Sequence, residues 1–269
     1  MKKILLPTDF SNRAQKAIDY AVYLLEKHDC TFYILHAYYR NIGGEDAVKA
    51  SKEGLAAIIK KMEAKKENKH HRFMPVSIND SPVNAINCTV MDWNIECVFM
   101  GTKGASAIEN VLFGSTTMKA IQLVQNCPII AVPENYDYDI PDEVVFANDY
   151  KSEFQKSELN PLIQICQWWN SALTVVHIAS EKQLTESQEA NRESLREMFK
   201  TVKPRFLEVP RSTSIAATLL LLEKENQHIG MVAMVYNKRS FFEKLLREAV
   251  VHHLVFVSKV PFLALPKAK

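Results

Sequence analysis

The chain has 269 residues, 47% of them hydrophobic, and this length suits two domains of ordinary size better than one large core. Lys and Arg outnumber Asp and Glu by only 33 to 31, so the strong positive field that draws proteins to nucleic acids or anionic membranes is missing. No apolar run approaches the roughly 18–20 residues of a membrane span, and Pro7 and Asp9 come too early for a secretory signal. We therefore expect a cytoplasmic protein with neither nucleic acid nor membrane as a partner.

The five cysteines are odd in number, form no Cys-x-x-Cys pair and lie inside apolar stretches. Small thiols in such stretches are usually buried and free. The cysteines therefore predict a reducing compartment and no disulfide framework.

The N-terminal half alternates short apolar runs with helical periods. Ile4 to Leu6 predicts a buried strand, and Ser11 follows as the cap of a helix with apolar residues at three- and four-residue spacing. Further strands are predicted at residues 32–35, near Val76, at 97–100 and at 129–132, each separated from the next by a helical pattern. Strands that are apolar on both faces and alternate with helices indicate an α/β fold, with a doubly wound, five-stranded, mainly parallel sheet.

The C-terminal half repeats this order after a polar, acidic linker at residues 134–141. Residues 144–150 parallel residues 4–10, residues 173–177 parallel 32–36, and residues 260–266 parallel 127–133. Three strand signatures in the same order indicate an internal repeat of about 135 residues. We predict two tandem domains, at residues 1–135 and 142–269, that pack as an intramolecular pseudo-dimer. Pro161 is expected at the first position of its helix, with Asn160 as the cap.

Three of the seven glycines, Gly101, Gly104 and Gly114, cluster between the fourth predicted strand and its helix. Glycine permits positive φ and lets backbone N–H groups approach an anion closely. Ser115 is predicted to cap the next helix, whose free amides and positive dipole end favour a phosphate. In an open parallel sheet such a site lies at the carboxyl ends of the strands, and Asp9 shares that edge.

The pattern Gly-x2-Gly-x9-Gly-Ser/Thr after an apolar strand, with Pro-Thr-Asp-Phe-Ser at residues 7–11, resembles the ATP-binding universal stress proteins. The resemblance covers the N-terminal half throughout and the C-terminal half by strand order alone. It implies a tandem universal stress protein of Rossmann-like fold that acts in the stress response. Its implied nucleotide-binding residues are Pro7, Thr8, Asp9, Ala37, Met100, Gly101, Thr102, Lys103, Gly104, Gly114, Ser115 and Thr116.

Within that set, the resemblance implies that the glycines, Ser115 and Thr116 hold ribose and phosphates, and that Asp9 and the backbone at Thr8 and Ala37 lie near adenine. The C-terminal half lacks the loop. Val235, Lys238 and Glu248 stand near the places of the three glycines, and Ala147 replaces Pro7. We therefore predict a degenerate second domain that does not bind ATP in the family's manner.

Each feature has a simpler interpretation. The glycines could be turn residues, Asp9 a helix cap, and Lys103 a solvated surface lysine. His36 and His177, at matching strand ends, are expected to pack or to form hydrogen bonds rather than to bind metal. The basic run at residues 60–72 could touch RNA or acidic lipid, but its interleaved glutamates favour a solvated helix end.

Two classes of function follow, a regulatory module that binds ATP or ADP and an enzyme that hydrolyses or transfers nucleotides. The sequence has no Walker loop, and no pair of carboxylates stands near the glycines, so we expect binding without catalysis, with Mg²⁺ held through the phosphates. A weak ATPase and a non-binding scaffold remain as alternatives. A homodimer and a protein partner are left open.

Overall fold

The structure, a computed structural model, describes residues 1–65, 69–102, 114–124, 127–137, 139–179, 183–236, 241–245 and 258–266. The chain divides into two compact units, with Glu134 in the first and Asn135 in the second. Within the described residues each unit contains one five-stranded parallel sheet flanked by helices. The predicted fold class is confirmed.

The N-terminal unit follows the predicted alternation of strands and helices. Its elements are β1 (Lys2–Pro7), α1 (Asn12–Leu24), β2 (Cys30–Tyr38), α2 (Arg40–Lys65), β3 (His71–Asn79), α3 (Pro82–Trp93), β4 (Cys97–Gly101), α4 (Ser115–Leu123) and β5 (Ile129–Val132). Its strands lie in the order β3-β2-β1-β4-β5 and pair in parallel. The strand order therefore reverses beside β1, and a crevice at such a reversal is where open α/β sheets bind ligands.

The C-terminal unit has the same topology. Its elements are β6 (Glu143–Asn148), α5 (Lys156–Trp169), β7 (Ala172–Ala179), α6 (Glu186–Met198), a 3₁₀ helix (Lys200–Val202), β8 (Arg205–Pro210), α7 (Ile215–Glu225), β9 (Ile229–Tyr236) and β10 (Phe262–Pro266). Residues 241–245 are also helical. Its strands lie in the order β10-β9-β6-β7-β8 and pair in parallel. The sequence repeat is thus a repeat of topology.

Helix α1 begins where the sequence predicts. The Ser11 hydroxyl accepts a hydrogen bond from the Ala14 amide at 3.2 Å and so satisfies one of the free donors of the first turn. Ala14, Ala17, Ile18 and Ala21 are buried on one face of the helix. Because three of these side chains are alanine, the helix packs closely against the sheet beside the end of β1.

Two local predictions were wrong. Helix α5 begins at Lys156, because Gln155 and Glu158 form a reciprocal capping box one turn before Asn160, and Pro161 lies inside the helix. The proline removes one hydrogen bond, which the helix tolerates so close to its start. Cys88 is exposed on α3, whereas the other four cysteines are buried.

The outermost strand of the N-terminal sheet is β3, which pairs only with β2 in the described part of the chain. Pro75 lies in the middle of β3, opposite Ile34, and Met74 beside it is 48% exposed. Proline lacks the N–H that a residue of a central strand donates to a neighbouring strand, so it fits an edge strand.

Candidate functional site

The site begins with a tight turn at the carboxyl end of β1. The Thr8 amide donates to the carbonyl of Leu35, and the Thr8 hydroxyl accepts from the Phe10 amide at 3.0 Å. The Asp9 Oδ1 atom accepts from the Ser11 amide, also at 3.0 Å. Phe10 has a φ of 63°, in the left-handed region that bulky residues rarely adopt. The turn leaves the Asp9 carboxylate exposed at the edge of the sheet.

The aromatic ring of Phe10 lies on the imidazole of His36, with ring centroids 4.2 Å apart and an interplanar angle of 29°. The His36 Nδ1 atom forms a 2.9 Å hydrogen bond with the Ser51 hydroxyl, which lies 2.7 Å from the Ser77 hydroxyl. Burial lowers the pKa of His36, and the negative charge of Asp9 partly opposes this effect. His36 is therefore a neutral, packed imidazole at neutral pH.

An open cleft lies above this turn, at the carboxyl ends of β1, β2 and β4. Helices α1, α3 and α4 complete its walls. Its lining residues are Pro7, Thr8, Asp9, Ala14, Leu35, His36, Ala37, Pro82, Ile86, Met100, Gly101, Thr116 and Thr117. Most of these side chains are apolar, and among these lining residues Asp9 is the one carboxylate. A mostly apolar cleft with a few convergent polar groups is typical of a small-molecule site.

The segment between β4 and α4 is closed at its base by three hydrogen bonds. The Thr102 amide donates to the Val132 carbonyl at 2.9 Å, and the Gly114 amide donates to the Thr102 carbonyl at 2.6 Å. The Thr117 hydroxyl donates to the Gly101 carbonyl at 2.9 Å. These bonds hold the start of α4 beside the end of β4, at the edge of the cleft.

The predicted role of Ser115 as the cap of α4 was wrong. The cap residue is Gly114, with φ −63° and ψ 160°, and Ser115 is the first residue of the helix. Neither Gly101 nor Gly114 has a positive φ; among the described glycines only Gly44 does. The important property of the cap glycine is therefore that it has no side chain. It brings no hydroxyl or carboxylate to the first-turn amides of α4, unlike Ser11 and Ser81 at the starts of α1 and α3.

The structure brings most of the predicted binding residues to one cleft. Those that line it are Pro7, Thr8, Asp9, Ala37, Met100, Gly101 and Thr116. Thr102, Gly114 and Ser115 lie next to the cleft in the chain but are absent from this lining. Lys103 and Gly104 fall outside the described residues.

Sequence reasoning missed the wall that α3 contributes, Pro82 and Ile86, and assigned His36 to packing or hydrogen bonding rather than to the cleft. The α3 residues have no motif, and Ile86 reads in the sequence as an ordinary core residue. Their only signal is topological, because a helix that follows β3 and returns to the sheet begins at the carboxyl edge.

The C-terminal unit repeats the turn with different surroundings. The Asn148 Oδ1 atom accepts from the Tyr150 amide at 2.9 Å, and the Asp149 Oδ1 atom accepts from the Lys151 amide at 3.2 Å. Tyr150 has a φ of 54° and stacks on His177 with centroids 4.6 Å apart. Tyr150 is 1% exposed, whereas Phe10 is 39% exposed.

Asp149, the counterpart of Asp9, is buried and paired with a cation. Its Oδ2 atom lies 2.7 Å from the Lys244 ammonium, and the Gln188 side chain donates to its backbone carbonyl at 3.0 Å. Asn191 donates to the Tyr150 carbonyl at 2.7 Å. Helix α6 therefore covers the turn that is open in the N-terminal unit.

The strand register also identifies the counterpart of Gly101. Gly101 pairs with Val132 and Val235 pairs with Leu265, and each partner directly precedes a proline, Pro133 or Pro266. Val235 therefore brings a buried isopropyl group to the place of Gly101. Ala147 lies in β6 opposite Val176, as Pro7 lies opposite Leu35. Lys238 and Glu248 lie outside the described residues.

Two kinds of feature are absent from the residues that the structure describes. No group of three or more His, Cys, Asp or Glu side chains stands at metal-binding distance there. No helix in these ranges is long and apolar enough to cross a membrane.

Comparison with known proteins relates the N-terminal half to one protein family. Residues 1–133 match the model of the universal stress protein family. The universal stress protein YxiE of Bacillus subtilis (strain 168) is 25% identical over 151 residues, which span 48% of this chain and 97% of that protein.

Solved structures match the whole chain in fold. A universal stress protein from Archaeoglobus fulgidus DSM 4304 superposes with a TM-score of 0.68 at 16% identity, over 99% of this chain and 97% of the other. The cytoplasmic domain of a prokaryotic cation chloride cotransporter superposes with a TM-score of 0.56 at 7% identity, over 98% of this chain and 94% of the other. The same fold therefore occurs in proteins of different type, and the function must be argued from the site.

Proposed function

The chain belongs to the universal stress protein family through its first 133 residues, and we propose that it binds one adenine nucleotide, ATP or ADP, in its N-terminal unit. Occupancy of this site, rather than turnover, is its regulatory function in the stress response. The contrast between Asp9, exposed at an open cleft, and Asp149, buried against Lys244, supports this proposal most strongly.

The cleft suits the parts of a nucleotide. Its apolar walls, including Leu35, Ile86 and Met100, accept a flat base, and Asp9 offers a carboxylate to the donors of the base or ribose. The phosphates extend to the start of α4, where the first-turn amides and the positive dipole end attract an anion. Gly114 lets the phosphate approach the backbone because it has no side chain.

The lining residues argue for binding over hydrolysis. Efficient phosphoryl transfer needs an oriented water and a cation that stabilises the transferring group. The lining residues that the structure describes include no Lys or Arg to supply that cation. An ATPase therefore stays the second candidate, and we expect turnover well below about 1 s⁻¹.

Nucleotide content is the first experiment. Protein purified without added nucleotide is denatured, and the supernatant is separated by chromatography and compared with ATP and ADP standards. Calorimetric titration of stripped protein should then give one site per chain. Two equivalent sites would contradict the asymmetry, and a protein that binds neither ATP nor ADP would favour a scaffold.

A divalent cation tests how the phosphates are held. ATP carries up to four negative charges, and Mg²⁺ can bridge phosphate oxygens while keeping most of its waters, without a protein cage. We expect ATP to bind more tightly with Mg²⁺ or Mn²⁺ than with EDTA. Unchanged affinity would mean that Lys103 or other protein cations already neutralise the phosphates.

A further inference from the structure

Gly54 lies in the middle of α2, where glycine is less favourable than alanine because it loses more backbone freedom on folding. A Cβ atom at this position would lie 2.5 Å from Cζ and 2.6 Å from Cε1 of the Phe10 ring. Real Cβ atoms do not approach other carbons this closely. The missing side chain therefore makes room for the tip of the Phe10 ring.

The ring that Gly54 accommodates cannot simply move aside. It is stacked on His36, and His36 is itself fixed by its hydrogen bond to Ser51 on α2. Phe10 also has an unfavourable left-handed backbone, which persists only because its surroundings hold it. Displacing the ring would separate it from His36 or release that backbone conformation.

Asp9 is coupled to this backbone through two hydrogen bonds. The Phe10 amide donates to the Thr8 hydroxyl across Asp9, and the Ser11 amide donates to the Asp9 carboxylate across the left-handed residue Phe10. If Phe10 returns to a right-handed conformation, the Ser11 amide turns away from Asp9 and the carboxylate loses its orientation.

The C-terminal unit independently shows the same local arrangement. There the left-handed Tyr150, stacked on His177, follows an aspartate whose carboxylate is directed at Lys244. In both units a left-handed aromatic residue, stacked on a histidine, thus follows the carboxylate. The partner of the carboxylate and the burial of the aromatic ring differ.

We propose that Gly54 is a positioning residue for the nucleotide site: by seating the Phe10 ring on His36, it orients Asp9 toward the ligand. This inference rests on the proposed function for the identity of the ligand. Gly54 is not among the residues that line the cleft, so its effect on binding is transmitted through Phe10 and Asp9.

The binding experiment compares ATP dissociation constants for four variants. Gly54→Ala should weaken ATP binding about tenfold, the cost of misplacing one charged hydrogen-bonding group. Phe10→Ala should also weaken binding, but adding Gly54→Ala to it should cause no further loss, because the clash is gone. In that background Gly54→Ala should raise the melting temperature, since alanine favours the helix.

Gly230→Ala is the matched control. A Cβ at Gly230 would lie 2.6 Å from the Cα atom of Pro141, a clash of the same size in the C-terminal unit. We expect it to lower the melting temperature and leave the ATP dissociation constant unchanged. An equal loss of ATP affinity in Gly230→Ala would mean that Gly54→Ala acts by general destabilisation, and would overturn the proposal.

Nuclear magnetic resonance tests the positioning without a ligand. The Ser11 amide signal reports its hydrogen bond to Asp9, and the His36 ring protons report the ring current of Phe10. Both signals should shift in Gly54→Ala and stay in place in Gly230→Ala. Unchanged Ser11 and His36 signals in Gly54→Ala would overturn the inference, whether or not the protein binds ATP. If wild-type protein binds no nucleotide but these signals shift, the positioning role stands and the proposed function fails.

Discussion

In the N-terminal unit the carboxylate that follows the first strand, Asp9, is exposed at an open cleft, whereas its counterpart in the C-terminal unit, Asp149, is buried against Lys244. The turns that hold the two carboxylates are otherwise alike in hydrogen bonding, backbone conformation and aromatic stacking. The difference therefore lies in what surrounds the turn. The two units thus keep one turn geometry, while the N-terminal turn faces an open cleft and the C-terminal turn is covered by protein side chains.

The largest effect is expected when the N-terminal unit receives the side chain of its counterpart. Gly101→Val copies Val235 onto the wall of the cleft, and the added isopropyl group should weaken ATP binding about a hundredfold. Calorimetric titration checks this. The reciprocal Val235→Gly should leave ATP affinity unchanged. Wild-type affinity in Gly101→Val would show that Gly101 is not part of the binding site.

Neutralising each aspartate should separate binding from stability. Asp9→Asn should raise the ATP dissociation constant about tenfold, because a charge-assisted hydrogen bond is lost. Asp149→Asn should leave that constant unchanged and lower the midpoint of urea denaturation. If Asp149→Asn weakened ATP binding as much as Asp9→Asn, the two units would share the ligand and the contrast between them would be wrong.

Removing the cation of the C-terminal unit should have a smaller effect. Lys244→Met keeps the apolar stem but leaves Asp149 without its ion pair, and we expect a loss of about 1 kcal/mol in the free energy of unfolding, since the Lys244 side chain is 47% exposed. ATP should still bind at one site per chain, because Val235 remains. A second site in this variant would identify the ion pair as the sole barrier to binding there.

The smallest expected effect is a dependence of stability on pH that originates in the N-terminal unit. Burial lowers the pKa values of His36 and His71, so below about pH 6.5 the unfolded chain binds protons before the folded one does. The neutral histidines therefore add to the stability of the folded state above about pH 6.5. This contribution is lost as the pH falls through the pKa values of the two histidines in the folded state. Denaturation midpoints at pH 7.5 and 5.0 measure the loss, which should be smaller in His36→Gln. An equal loss in that variant would assign the effect to other groups.

The sequence predicted the fold well because its signals are local. Each signal depends on neighbouring residues, as in the apolar run from Ile4 to Leu6 and the capped start of α1. The internal repeat then predicted that the second half has the same topology as the first. Most of the cleft could be predicted for a related reason, because parallel strands end at one edge of the sheet. The start of α4 was misjudged because Gly114, with an ordinary φ, takes the cap position ahead of a favourable serine.

What could not be predicted depends on contacts between distant residues. Asp149 and Lys244 are 95 positions apart, and neither lies in a motif that suggests an ion pair. Gly54 looks like a weak point in a helical pattern until the Phe10 ring is placed against it. Such pairings arise from tertiary packing, which hydrophobic periodicity does not encode.

The proline in β3 has a consequence for crowding in the cell. A bare sheet edge is a template on which another polypeptide can add a strand, and long, flat, apolar edges promote aggregation. Pro75 interrupts the row of donors on β3, so an incoming strand could not form a continuous ladder along it. This edge is thereby protected against the continued addition of strands from other chains.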